Sequence, residues 1–274
     1  MVENIKKTQN LISIITIVRN GVNEIEETIK SVLTQKNVNL EYIIIDGKST
    51  DGTLEIIEKY KDNITIVVSE PDNGIYDAIN KGIKLATGEL IGLIHCGDRY
   101  ENDILHLCYK KYLGSKSDII YGNINILDTT DGLELQHTEK ANHLLLENKM
   151  SIFHPATFIS RACYNKNGLY NENYKIAADY EFFLRNFRNG VSFEYFPISL
   201  ATFRSGGVSA NANKLMRELF FIWQTHLGLL KAIRNLTIRF INHGYYYWRK
   251  KMVLSIIGKN NYNKLKIKKY KKND

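Results

Sequence analysis

Little in this 274-residue chain interrupts or staples a fold. It has three prolines and no long low-complexity tract. Its three cysteines, Cys96, Cys108 and Cys163, form no CxxC pair and cannot all be matched. That argues against a disulfide framework and for a reducing compartment. Nowhere do about 18 uninterrupted apolar residues occur, so no transmembrane helix is expected. The opening MVENIKKTQN has no apolar centre, so no signal peptide is expected and the protein reads as cytoplasmic, soluble or peripheral. No GxGxxG follows the first apolar run, which excludes the usual dinucleotide fingerprint. Acid is scarce only towards the end. From Lys214 to Asp274 there are 15 Lys and Arg against Glu218 and Asp274, a net of +13 in a chain whose total is +8. The first 213 residues are therefore acidic, at −5. A basic end on an acidic body argues against a nucleic-acid-binding catalytic domain and for a separate surface-seeking segment.

What is present is alternation. Four short apolar runs, Leu11 to Val18, Tyr42 to Ile45, Ile64 to Val68 and Leu90 to Ile94, are rich in β-branched residues. They suit a parallel sheet buried on both faces. Amphipathic segments separate them. Ile25, Ile29, Val32 and Leu33 keep helical spacing behind Asn23 as N-cap, with Glu24, Glu26 and Glu27 in the first turn. A second helix is predicted over about Thr53 to Tyr60. A third carries Ile79, Ile83 and Ala86 and stops at Gly88 as its C′ residue. These are βαβ units of an α/β fold. In an open parallel sheet, ligands bind beyond the carboxyl ends of the strands. Four polar clusters should converge there: Arg19-Asn20-Gly21, Asp46 to Gly52, Ser69 to Gly74, and His95-Cys96-Gly97-Asp98. Further on, strands are predicted over Asp118 to Leu127, Phe153 to Ile159, Val191 to Phe196 and Ser199 to Phe203, and a helix over Ala177 to Arg188. After Asn211 the chain reads as long helices to about Ile257, so a boundary falls near residue 210.

Three clusters carry chemistry. Asp46, at a strand end, can accept from a base N–H or a ribose hydroxyl, and Ser49 or Thr50 can cap the next helix. A plain turn accounts for the same residues. Asp98 lies just past a buried strand, where an ionised carboxylate needs a partner or a metal. Mg²⁺ or Mn²⁺ often takes one or two protein carboxylates and completes its shell with phosphate oxygens and water. Alternatively Asp98 caps a helix near Asn102. His95 is a metal ligand, a diphosphate contact or a satisfied core histidine, and Cys96 a small filler rather than a reactive thiol. Asp179 shares a helix face with Phe182 and Phe183. A carboxylate there is costly unless used, though a charge at a helix N-terminus is the alternative. Glu181 and Arg185 read as a surface ion pair.

In this order, these pieces resemble glycosyltransferase family 2, which has the GT-A fold. Ile12 to Asn20 looks like that family's first strand, and Ile43 to Thr53 is similar to its VVDDGSTDGT stretch. Gly74 to Gly82, with Ala86 to Glu89, resembles the segment before its metal motif. Gly168 to Glu172, followed by Asp179-Tyr180-Glu181 and Arg185, looks like its catalytic-base region. The resemblance spans about residues 11–210. It implies a GT-A-like, mostly parallel central sheet flanked by helices. Nucleotide-sugar binding would occupy 11–100, acceptor binding and catalysis 101–210, and a helical extension 211–274. Thr16, Arg19 and Asp46 would contact the nucleotide, with Asp77 and Lys81 near the diphosphate or donor sugar and His95 a further donor contact. Asp98 would be the last Asp of the DXD motif and hold Mg²⁺ or Mn²⁺. Asp179 would be the general base and His154 would stand on the acceptor side. Gly206-Gly207-Val208-Ser209 would close over the donor. Cys96 replaces the first Asp of DXD, and Ala178 the usual acid before the base.

The implied activity is metal-dependent transfer of a sugar from a nucleotide diphosphate, UDP favoured, to a hydroxyl of a sugar or lipid-linked acceptor. Inversion is expected, in cell-surface polysaccharide or glycolipid synthesis. The two departures keep a second reading open: a catalytically inactive nucleotide-sugar-binding or regulatory protein on the same fold. The basic end interleaves cations with Phe220, Phe221, Trp223, Leu227, Leu230, Tyr245 to Trp248, Met252, Leu254, Ile256 and Ile257. It is expected to meet an anionic membrane surface, with packing on the body as the alternative. No nucleic-acid partner is expected. The whole reading requires Asp98 and Asp179 to face one gap.

Overall fold

The computed structural model describes residues 10–130, 133–204 and 212–242, together with 244, 251 and 255. In its first part, strands and helices alternate: β1 (Leu11–Val18), α1 (Ile25–Leu33), β2 (Asn39–Asp46), α2 (Thr53–Glu58), β3 (Ile66–Ser69), α3 (Ile75–Leu85) and β4 (Leu90–Leu93). β1 pairs in parallel with β2 and with β4, and β2 with β3. Side chains alternate across a strand. Ile15, Ile17, Ile43 and Ile45 therefore enter one core with Ile79 and Ile83 of α3, whereas Ile12, Ile14, Tyr42 and Ile44 enter a second core with Ile25 and Ile29 of α1. β1, β2 and β4 are covered on both faces, whereas the edge strand β3 is only half covered and exposes Val67.

The rest of the chain completes the sheet. Its elements are β5 (Arg99–Tyr100), α4 (Ile104–Ser115), β6 (Ile119–Thr130), β7 (Leu133–Glu139), β8 (Thr157–Ser160), α5 (Arg161–Asn167), α6 (Ala178–Arg188) and β9 (Phe193–Arg204). The strand order is β3-β2-β1-β4-β8-β6-β9-β5, with β7 on β6. β8 lies antiparallel between β4 and β6. β6 consequently runs in the direction of β4, and β9 runs parallel to β6. The ends of β1, β2, β4, β6 and β9 and the start of β8 thus share one edge.

Two helices follow, α7 (Ala212–Leu227) and α8, residues 229–242. They are not an appendage. Leu219, Ile222, Trp223 and Ala232 are buried in the same core as α3 and α6. Trp223 donates to the Tyr180 hydroxyl at 2.7 Å. Trp223, Phe220 and Leu227 therefore face the body rather than a membrane. The expected donor-closing segment 206–209, and Tyr245 to Trp248, Met252, Leu254, Ile256 and Ile257, lie outside the described residues.

Several local expectations need correcting. Glu24, not Asn23, occupies the N-cap position of α1, without a side-chain cap. Gly52, in the left-handed region, precedes α2. Ser49 instead bonds Asp46, and Asp51 accepts from the N–H of Thr53 at 3.1 Å. α3 ends at Leu85 with Ala86 as its C-cap, so Gly88 is not a helix cap. Gly88 is required because a Cβ there would lie 2.7 Å from the Ser13 nitrogen and 2.8 Å from the Leu11 carbonyl. Asp98 caps no helix, since α4 begins at Ile104. The two strands expected over 191–203 are one. Its register on β6 jumps from Phe196 to Ser199, leaving Pro197, which has no N–H to offer, in the irregularity.

Candidate active site

A cleft of about 640 Å³ opens where the strand ends meet, within the range of about 300–1,000 Å³ typical of small-molecule sites. Asp98, His95, His154 and Asp179 all line it. Topology explains the meeting. His95 to Asp98 follow β4, His154 precedes β8, and Asp179 opens α6, which packs over the same edge.

The Asp98 turn is fixed from below. Gly97 adopts φ 96°, a left-handed conformation suited to glycine. Its N–H donates to the Thr28 hydroxyl at 3.1 Å, and that hydroxyl donates to the Asp98 carbonyl at 2.8 Å. The Asp98 carboxylate is buried, and one oxygen accepts from the Arg204 N–H at 3.2 Å. Burial pushes its carboxyl up to about 7, and only that N–H opposes the rise. No cation pairs with it among the described residues. A buried carboxylate at a cleft, with one oxygen unbonded among the described residues, fits a single-carboxylate divalent-cation site. No group of three or more His, Cys, Asp or Glu side chains converges on a metal position among the described residues. Donor phosphate and water would have to complete the shell.

Asp179 sits in the first turn of α6, where the helix dipole favours negative charge. Its Oδ1 accepts from the Tyr180 N–H at 2.8 Å and from the Tyr76 hydroxyl at 3.1 Å. Tyr76 shares its single proton with the Ile176 carbonyl at 2.8 Å. Oδ2 remains free. Burial nevertheless holds the Asp179 carboxyl above its ordinary value. The turn ahead of it is anchored remotely. The N–H groups of Lys175, Ile176 and Ala177 all donate to the Glu218 carboxylate of α7, each at 2.9 Å.

Two neutral imidazoles flank the carboxylates. Burial lowers His95 to about 4, and its Nδ1 is enclosed without a partner among the described residues. His154 lies well below its usual value through burial and then the neighbouring His95 ring, 5.4 Å away. Its Nε2 bonds the Tyr170 hydroxyl at 2.7 Å. Cys96 also lines the cleft, but burial first, then nearby acids, push its thiol up to about 12, so it stays a thiol.

The other expected donor contacts do not line this cleft. Thr16 is fully buried and its hydroxyl is paired with Tyr42 at 3.0 Å, so its side chain offers a ligand nothing. Asp46 is fully buried at the end of β2 and accepts from the Ser49 N–H at 3.0 Å, the Ser69 hydroxyl at 2.6 Å and the Ser49 hydroxyl. Three of its roughly four acceptor sites are filled, and its full burial closes the carboxylate to a base N–H. Lys81 is held by Glu70, Asp72 and Asp77 at 2.9, 2.9 and 3.2 Å. Asp77 also accepts from the Asn73 N–H at 2.8 Å, tying the loop after β3 to α3. Arg19 is exposed beyond β1 with no hydrogen bond or ion pair among the described residues, its stem over Gly47. Glu181 and Arg185 are not a surface pair. Glu181 is buried, bonded to Arg185 at 2.9 Å and His226 at 3.0 Å. Burial alone would raise its carboxyl, but those two partners outweigh it and lower the value.

The profile of the Glycosyl transferase family 2 matches residues 13–167. The PGL/p-HBAD biosynthesis glycosyltransferase of Mycobacterium tuberculosis is 31% identical over 187 residues, 65% of this chain and 71% of the relative. Chondroitin synthase of Pasteurella multocida is 32% identical over 180 residues, 64% of this chain but 18% of that enzyme. The solved structure of S. aureus TarS, residues 1–349, aligns with a TM-score of 0.64 over 90% of this chain and 75% of that one, at 19% identity. Its complex with UDP aligns over 77% of this chain and 64% of its own. The structural likeness shows a shared GT-A fold. With its family profile covering more than half of the residues, the chain belongs to glycosyltransferase family 2.

Proposed function

We propose that this chain transfers a sugar from a UDP-sugar to a hydroxyl acceptor with inversion, on the cytoplasmic side of a membrane, in synthesis of a surface polysaccharide or glycolipid. One observation carries the reading: Asp98 and Asp179 line one cleft, and neither is in an ion pair among the described residues. The UDP and UDP-GlcNAc complexes of TarS support the choice of nucleotide. The names of the mycobacterial and Pasteurella relatives support the pathway class.

A sugar hydroxyl is a poor nucleophile at neutral pH. Asp179 takes its proton on Oδ2 as the hydroxyl attacks the anomeric carbon, a contribution of about 10²–10⁴-fold for general bases. The bond to the diphosphate breaks on the opposite face, so configuration inverts. Asp98 would hold Mg²⁺ or Mn²⁺, which when bound supplies Lewis-acid stabilisation of the departing diphosphate. Arg19, exposed at the end of β1 and without an ion pair among the described residues, would meet the same charge. Neutral His95 and His154 orient hydroxyls without repelling either an incoming cation or a developing oxocarbenium centre.

Incubating the protein with a panel of nucleotide sugars and Mn²⁺ tests this. UDP-sugars should be turned over by the wild type, and product NMR should show the inverted anomer. If nucleotide sugars bind but none is turned over, the inactive-protein reading replaces this one. Contact with an anionic membrane surface belongs to the same proposal. The outward face of α8 supports it, since Leu230, Ile233, Phe240 and Ile241 are exposed there, followed in sequence by ten Lys and Arg against Asp274 from residue 243 onward.

A further inference from the structure

The cleft is chemically lopsided. Its charged and titratable lining comes from Glu24, His95, Asp98, His154, Lys175, Asp179 and Arg204. The part of the wall contributed by β6, by Phe203 of β9 and by the segment before β8 is apolar, with Ile124, Ile126, Met150, Ile152, Phe153 and Phe203, although β9 also sets Arg204 in the lining. Ile126, Met150, Phe153 and Phe203 are part-buried, while Ile124 and Ile152 are buried. None of these side chains carries a strong hydrogen-bonding group. The strand backbone behind them is already paired: β6 is bonded to β7, β8 and β9.

We infer that the acceptor carries an apolar group, aryl or alkyl, next to the hydroxyl that is glycosylated. This rests on the transferase reading above and deepens it. A bare sugar presents hydroxyls on every edge. Those turned to this wall would leave water and gain no partner, a net loss. An aryl ring or alkyl chain turned to the same wall loses only contact with water, which is favourable. The hydroxyl is then delivered to Asp179 from a ligand anchored by its apolar part. The wall is continuous with the cleft that holds the base, so anchoring and reaction occur in one volume.

The test uses the full chain with Mn²⁺ and three donors, UDP-glucose, UDP-galactose and UDP-N-acetylglucosamine. Each is offered methyl, p-nitrophenyl and octyl glycosides of glucose and galactose. The inference expects kcat/KM for the p-nitrophenyl or octyl glycoside at least tenfold above that for the methyl glycoside. The p-nitrophenyl and octyl arms separate an aromatic from a lipid-like anchor. Met150→Gln and Phe203→Ser should each reduce that preference at least fivefold. Because a ratio is compared, a variant that folds poorly does not imitate the result. Equal use of methyl and apolar glycosides would overturn the inference while leaving the transferase reading intact. Failure to turn over any donor would sink the transferase reading, and this inference with it.

Discussion

The base role proposed for Asp179 conflicts with its surroundings. A base must be ionised, yet burial holds this carboxyl above the ordinary range against the pull of Tyr180 and Tyr76. The acid limb of kcat/KM should therefore lie above that of an exposed aspartate, near ~4. The same shift costs stability. The native state keeps this proton to higher pH than the unfolded chain, so stability falls as pH rises through the native value and is recovered below it. Asp179→Asn should abolish transfer by about 10²–10⁴-fold. It should also raise the urea midpoint at pH 8, with the advantage shrinking towards pH 4. A lower midpoint at pH 8 would mean that the ionised carboxylate is stabilised rather than strained. Tyr76→Phe removes a hydroxyl that favours the ionised form, so the acid limb should move to higher pH with kcat at pH 9 largely preserved. Asp179 was legible because a carboxylate on an apolar helix face is conspicuous. Tyr76 was not, because its hydroxyl meets Asp179 across 103 residues and nothing local marks it. Thr16 and Asp46 show the converse limit. Their place at strand ends is readable from the apolar runs, but whether Tyr42, Ser49 or Ser69 occupies their oxygens depends on tertiary packing.

At the scale of elements, the helix bearing Asp179 is positioned by a helix that the sequence presents as an extension. Glu218 on α7 accepts three consecutive N–H bonds from residues 175–177, immediately before α6. Backbone donors at a helix start need partners, and here a remote carboxylate supplies them. Glu218→Ala should cost about 3 kcal/mol, since several donors lose a charged acceptor. In a chain of this size that is a drop in Tm of roughly 6–12 °C. kcat should fall further than the lost folded fraction explains, because the Asp179 turn loses its anchor; unchanged kcat in the surviving folded protein would limit Glu218 to stability. The βαβ half was readable because each element has a periodic signature. The second half was less so. β7 hides because its pairing depends on β6 rather than on an apolar run. Pro197 reads as a strand break, yet β9 continues through it by a register shift that only the partner strand reveals.

Over the whole molecule, charge and apolar exposure are both segregated. The acidic body carries the cleft, while α8 presents Leu230 at 85%, Phe240 at 62% and Ile241 at 64% exposure. Its opposite face is fixed to the body: Ala232 and Asn235 are buried, and Lys231 reaches Glu147 at 2.9 Å. The outward stripe at 230, 233, 240 and 241 keeps helical spacing, so it is one coherent face rather than scattered exposure. No helix among the described residues is long and apolar enough to cross a membrane. A stripe of this kind suits lying at a lipid interface, where each nearby Lys or Arg adds about 1 kcal/mol on an anionic surface. Vesicles of phosphatidylglycerol and phosphatidylcholine should co-sediment the full chain, and pure phosphatidylcholine should not. Raising salt from 0.1 to 0.5 M should release most of it, because the Debye length shortens. Leu230→Glu with Phe240→Glu alters only outward positions. It should weaken vesicle binding at least tenfold while transfer to a soluble acceptor stays within twofold. Retained binding in that double variant would assign attachment to the basic residues beyond 242 alone, and binding to neutral vesicles would remove charge from the account.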